Sequence, residues 1–277
     1  MKRTITLLSA LALLATVSMA QAITLYATTL NNHVISFDTA SPGTILTNTT
    51  IGSNNFVAYD IAMMPNGSLI TSVYDPSNSH PGAIVTPSFT NYFDNILVSL
   101  HAFDANTLYG IDSSSAPFLW KVDLTSSSAT ETKITPNQAS LYAAGDIANV
   151  GGTWYSTYTN SGYTNNNIST IDLATGALSN PQTTNVPLSG LAYDGTTLWG
   201  ASFLNNILYK VNPSSGDLIE SGIIGDDTTG HITGLDYFYT PTHVDPPANG
   251  GVPEPGTFAM LGSSLLSLGG IILRRRA

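Results

Sequence analysis

The chain has 277 residues, 42% of them hydrophobic but only 9% charged, with no cysteine and a formal net charge of −10. The missing cysteines exclude disulfides, thiolate metal sites and thiol nucleophiles, so a hydrophobic core must hold the fold. Between Ile23 and Val252 the only cations are Lys121, Lys133 and Lys210, while every carboxylate except Glu254 lies there; that excludes nucleic-acid binding, which needs clustered Lys and Arg to neutralise phosphate.

Met1-Lys2-Arg3 is a basic start, Ile5 to Met19 is apolar or small, and Ala20-Gln21-Ala22 supplies an A-x-A cleavage site. This pattern predicts a secretory signal peptide over 1–22, because the apolar run is short for a membrane span and ends in a cleavage motif.

Residues 23–240 repeat. The clearest unit runs Gly190-Leu191-Ala192-Tyr193, an Asp194-Gly195 turn, then Leu198-Trp199-Gly200-Ala201. Ile207 to Asn212 alternates as a third strand, Pro213 to Gly216 turns, and Asp217 to Ile224 makes a fourth. The spacing predicts a four-stranded antiparallel meander. Equivalent second-strand positions, Leu25, Leu69, Leu108, Trp154 and Leu198, lie 44, 39, 46 and 44 residues apart. Periods near 40–45 residues with four strands each are the signature of propeller blades. The last first-strand, Gly234 to Phe238, lacks followers, whereas the N-terminus opens on a second strand, Ile23 to Ala27, and a third, Val34 to Asp38. Together they complete one blade and remove exposed sheet edges.

The fold expected is therefore an all-β, five-bladed β-propeller closed by N- and C-terminal strands in one blade, with a C-terminal hydrophobic helix after it. A β-sandwich is the alternative that the in-phase repeats disfavour. Ala83-Ile84-Val85 matches poorly as the third strand of blade two. The repeats, Leu191 to Leu218 above all, resemble those of NHL-, YVTN- and quinoprotein-like propellers, a likeness of architecture shared by many functions.

No catalytic, phosphate-binding or calcium-loop motif occurs, and no cofactor or metal is expected. The channel rim would carry Tyr59, Asp60, His101, Asp146, Gly190 and Gly234, with Asp236 a further candidate. Asp60 and Asp146 share one repeat column and are placed to approach each other across the channel. Two carboxylates fall short of a calcium site, which takes roughly six to eight oxygens; solvation or backbone capping is the simpler role. His101 stands in a column otherwise filled by Ile61, Ile147, Leu191 and Leu235. It reads either as a rim base or as a hydrogen-bonded, half-buried side chain.

The loops between second and third strands open on the same face. Tyr74 begins one, and Tyr158, Tyr163 and Asn165 belong to the other, Thr157 to Asn167. Flat rings with polar tips beside amides are what sugars require.

Pro241 to Gly251 is Pro- and Gly-rich and reads as a linker over 241–252. Then come Pro253-Glu254-Pro255, an apolar or small run from Thr257 to Leu273, and Arg274-Arg275-Arg276. This predicts a short membrane helix with its basic end inside. The three parts together resemble the PEP-CTERM sorting signal over 253–277. That resemblance implies an exosortase-type processing enzyme as partner, cleavage near Pro253-Glu254-Pro255, and release from the inner membrane to the cell surface or outside, often alongside exopolysaccharide.

The expected function is an exported binding or matrix protein, its partner an exopolysaccharide or other biofilm component. A lyase or hydrolase acting on an extracellular polymer is the alternative, and a purely structural surface-layer component the third. Clustered acid and base groups in a deep rim pocket favour the enzyme; a shallow aromatic and amide surface favours binding.

Overall fold

A computed structural model describes residues 22–237, apart from 53–54, 115, 135–141, 161 and 227. By compactness the chain divides at Tyr239/Thr240; all described residues belong to the first unit. Ala22 is described and exposed. The other sorting residues, Ala20, Pro253, Glu254, Pro255 and Arg274 to Arg276, lie outside the described residues, as do the expected signal peptide before Ala22, the linker and the C-terminal helix. Among the described residues there is no helix, so none crosses a membrane.

Those residues form twenty strands in five four-stranded sheets. Blade one takes β1 (Thr24–Thr29), β2 (His33–Asp38) and β3 (Ser41–Thr50). Blade two is β4 (Val57–Met63), β5 (Leu69–Tyr74), β6 (Gly82–Val85) and β7 (Thr90–Phe93). Blade three is β8 (Leu97–Ala102), β9 (Thr107–Asp112), β10 (Leu119–Leu124) and β11 (Ala129–Ile134). Blade four is β12 (Tyr142–Val150), β13 (Thr153–Thr159), β14 (Asn166–Ile171) and β15 (Leu178–Thr184). Blade five is β16 (Gly190–Tyr193), β17 (Leu198–Ala201), β18 (Ile207–Val211) and β19 (Leu218–Ile223). The last strand, β20 (Ile232–Tyr237), returns to blade one, giving the order β20-β1-β2-β3.

Ring closure is thus made by the two ends of the repeat region. Leu25 pairs with Tyr237 and Ala27 with Leu235 across β1 and β20. All five expected second-strand positions fall on the second strand of a blade. Blade two departs from the pattern because its third strand begins at Gly82, where a Cβ would lie 1.7 Å from the Asn95 carbonyl oxygen. Any side chain there would clash with the Asn95 backbone, which is why this strand opens on glycine.

Each blade presents two faces to two neighbours, so its inner strands are apolar on both sides rather than alternating. The core accordingly divides into five clusters, one per blade interface. Leu25, Ile35 and Phe37 of blade one meet Trp199 and Leu208 of blade five. Ile70 and Ile84 of blade two meet Leu100 and Leu108 of blade three. Ile111 and Leu119 of blade three meet Ile147 and Tyr158 of blade four. Fully burying such a side chain is worth about 1.5–3 kcal/mol.

Turn chemistry repeats as well. Asp172 Oδ1 accepts the Ala174 amide at 2.8 Å, and Asn212 Oδ1 accepts the Ser214 amide at 3.0 Å, at the equivalent corner of the next blade. Gly176 and Gly216 close these two turns with φ of 72° and 78°, a conformation that glycine adopts without a Cβ penalty.

Candidate functional site

The five innermost strands, β20, β4, β8, β12 and β16, surround the channel. β-Bulges interrupt β4 at Tyr59 and β12 after Ala143; such bulges re-aim side chains at functional and structural junctions. Asp60 and Asp146 are essentially fully buried and Asp236 is 7% exposed.

Their oxygens are taken up by backbone. Asp60 Oδ1 accepts its neighbour Ile61 N–H at 2.8 Å, and Oδ2 accepts Leu100 N–H of the next blade at 2.5 Å. Asp146 does the same with Ile147 and, across the blade boundary, Leu191, both at 2.6 Å. Asp236 does it with Tyr237 at 2.7 Å and Met63 at 2.5 Å. The two remaining boundaries are bridged differently. The His101 ring donates to the Ile147 backbone, and Ser189 Oγ donates to the Ile232 carbonyl at 2.8 Å. A polar side chain therefore links every pair of adjacent blades around the channel. Buried polar groups are tolerated when so satisfied.

Asp60 and Asp146 also hydrogen-bond each other across the channel. Burial, foremost, and the Asp146 charge, next, hold Asp60 well above the usual carboxylate range. Burial likewise raises Asp146, with Asp236 adding repulsion, while its backbone bonds pull it down. Asp236 is pushed up to about 7 by burial, against two backbone bonds that lower it. A shared proton between Asp60 and Asp146 is the arrangement that lets two close carboxyls coexist without a cation. Among the described residues no group of His, Asp or Glu is arranged to hold a metal ion. His101 is lowered to about 4 by burial, against the Ile147 bond that raises it. It also meets the Trp154 ring edge-on at 5.1 Å between centroids. Half-buried and neutral at ordinary pH, it is a blade-to-blade donor.

The tyrosines divide. Tyr59 and Tyr74 lie close together in blade two, both half-buried, and burial, then Tyr74, raise the Tyr59 phenol. Tyr158 is only 2% exposed and packs in the core between blades three and four, so its ring faces protein rather than solvent. Burial pushes its phenol up, despite the Ser156 hydrogen bond. Tyr163 is 52% exposed, with a left-handed φ of 54°. Asn160 builds the loop beneath it: its Oδ1 accepts the Thr164 amide at 2.8 Å and the Asn165 amide at 3.3 Å. Asn165 is itself exposed. The structure thus brings Asp60, Asp146 and His101 into one inner ring, and leaves Tyr163 and Asn165 on a separate loop. Sequence reasoning missed Ser189 as the fifth link of that ring; a hydroxyl directly before the first strand of blade five was its only signal.

No family model matches the chain, and no curated relative matches it. Among solved structures, a crystal structure of a nidogen/laminin complex aligns over 78% of this chain and 97% of that one, at 11% identity and a TM-score of 0.47. Glutaminyl cyclase of Myxococcus xanthus aligns over 66% of this chain and 71% of its own, at 11% identity and 0.43. A protein of unknown function from Bacteroides caccae aligns over 72% of each chain, at 12% identity and 0.41.

Proposed function

We propose that this chain is an exported, non-enzymatic module that binds an extracellular polysaccharide, held in the membrane by its C-terminal segment until it is processed near Pro253-Glu254-Pro255. The observation that carries the binding half is Tyr163: a large ring left half in solvent, at a positive φ, on a loop braced by Asn160. A non-glycine residue held in that backbone region is a cue to function rather than to packing. Exposed aromatic rings beside amides suit sugars, whose C–H faces stack while their hydroxyls bond. A polymer-cleaving enzyme would need an acid and a base in contact with substrate; the ring carboxyls Asp60 and Asp146 are buried and their oxygens are occupied. The processing half rests on the resemblance of the tail to the PEP-CTERM signal.

A glycan array probed with the purified protein, with and without calcium, tests the binding reading. Binding to one class of polysaccharide fragment, insensitive to calcium, is expected. Turnover of any fragment during the assay would replace this reading with the enzymatic one.

A further inference from the structure

The outermost strand of every blade, β3, β7, β11, β15 and β19, has one neighbour in its sheet and an open edge on the other side. Such an edge is a template for a further strand unless charge, proline, a bulge or short length guards it. Four of the five are guarded. β7 has only four residues, and its Asn91 side chain accepts the Ala129 amide of blade three at 3.4 Å. β11 carries Glu131 and Lys133. β15 carries Pro181, with Asn180 beside it at a left-handed φ of 51°. β19 carries Glu220, next to a bulge at Ser221.

β3 is different. With ten residues it is the longest of the described strands, and it has no charged side chain. Pro42 and a bulge at Leu46 guard only its first part; from Thr47 to Thr50 it pairs one to one with Ser36 to His33 of β2. Every residue of that stretch is exposed, and threonine suits an extended strand. Just beyond it, Ile51 N–H donates to the Asn32 carbonyl at 3.0 Å. Because an antiparallel ladder alternates, Thr47 and Thr49 then bond inward to β2, while Asn48 and Thr50 aim their backbone N–H and C=O outward. No hydrogen bond among the described residues meets these outward groups.

We propose that β3 pairs antiparallel with β3 of a second copy of this chain, about a twofold axis at Thr49. In that register Asn48 of each copy faces Thr50 of the other, and their outward groups complete each other's hydrogen bonds. Thr49 meets its own equivalent in the closer, non-hydrogen-bonded pair, with Cα atoms about 4.5 Å apart, and threonine pairs across strands are favourable. A register shifted toward Ser41 would run into the Leu46 bulge. Charge also selects a second copy. From Thr24 to Thr50 the sequence has one carboxylate, Asp38, and no Lys or Arg, so two acidic bodies would meet where their charge is thinnest. A basic partner would find no carboxylate on this strand to pair with. The contact is short, in the class of weak interfaces, and its twofold symmetry stops assembly at a dimer.

The chain has no cysteine, so in the purified protein a single introduced thiol can form a disulfide only between copies. Full-length Thr49→Cys, Asn48→Cys and Thr132→Cys are oxidised at equal concentration and followed on non-reducing gels; Thr132 is the control, exposed on the guarded strand β11. At the twofold axis the Thr49 spacing lies within the disulfide range, whereas the Asn48 equivalents are offset along the pair. Thr49→Cys should therefore cross-link about tenfold faster than either of the others. Adding Thr50→Lys, a charge on the open edge, should slow that cross-linking about tenfold without lowering the melting temperature. Equal rates at Thr49 and Thr132 overturn the proposal. An unchanged rate in the Thr50→Lys variant does so too, and a rate at Asn48 matching that at Thr49 overturns the register. In material from the native host, a Thr49→Cys adduct with a different protein in place of the homodimer would give the edge to that protein and overturn self-pairing.

Discussion

Asp236→Asn should reverse its effect on stability between pH 4 and pH 8. In the folded chain this carboxyl is pushed up to about 7 by burial; in the unfolded chain it titrates near about 3.9. Between those values the folded state binds the additional proton, so wild-type stability is fully present below about pH 4 and falls as pH rises toward about 7. Three units at about 1.36 kcal/mol each give a loss of about 4 kcal/mol, levelling off above about pH 7. Repulsion between Asp236 and Asp146 adds to the loss with the same sign. His101 works the other way: lowered to about 4, it loses stability as pH falls from about 6.5 toward about 4. The wild-type profile is therefore flattened, and only its difference from the variant isolates Asp236.

Asparagine cannot ionise, and it keeps one acceptor for either Tyr237 or Met63 while losing the other bond. That loss costs about 1–3 kcal/mol at any pH. At pH 4 the variant should be less stable by that amount; at pH 8 the removed ionisation penalty should make it more stable by a similar amount. Denaturant unfolding followed by tryptophan fluorescence at half-unit pH steps gives the two curves. Parallel curves, with a constant offset from pH 4 to pH 8, would refute the buried, proton-holding ring.

Deleting residues 23–38 removes the hydrogen-bonding partner of β20 and the core side chains Leu25, Ile35 and Phe37, so cooperative thermal unfolding should vanish; a parent-like melting transition would disprove closure by the N-terminal strands. Tyr158→Ala should lose about 3–5 kcal/mol in chemical unfolding, as for a buried aromatic, whereas Tyr163→Ala should stay within about 0.5 kcal/mol of wild type while weakening glycan binding. Intact-mass analysis of surface material from the native host should give a C-terminus near Pro253-Glu254-Pro255; retention of Arg274 to Arg276 would make the tail an ordinary anchor.

The five-bladed ring is legible in the sequence because each second strand opens on a large apolar residue at a nearly constant interval, and because the split blade leaves matching half-units at the two ends. Blade two is harder to read, since its third strand is only four residues long and opens on Gly82, which lies against the Asn95 backbone. Within the site, the shared column of Asp60 and Asp146 correctly places two carboxyls near each other across the channel. Their bonding is not legible, because the partners at Leu100 and Leu191 are backbone amides, which every residue but proline carries. Tyr158 shows the limit of strand alternation. Ser156 to Thr159 are all buried because blade four is covered on both faces, so position parity does not separate core from surface.

The same geometry explains how the ring holds together. A carboxylate that takes one amide of its own strand and one of the next blade binds the ring together whatever side chain the neighbour carries. Three such links, from Asp236, Asp60 and Asp146, with His101 and Ser189 donating across the other two boundaries, close the polar ring around the channel. Each amide bond favours the ionised carboxylate, but burial with no nearby cation outweighs it and holds the carboxyls protonated. At the blade ends the turns accept either side chain without disturbing the ring, as Asp172 and Asn212 at equivalent corners of blades four and five show.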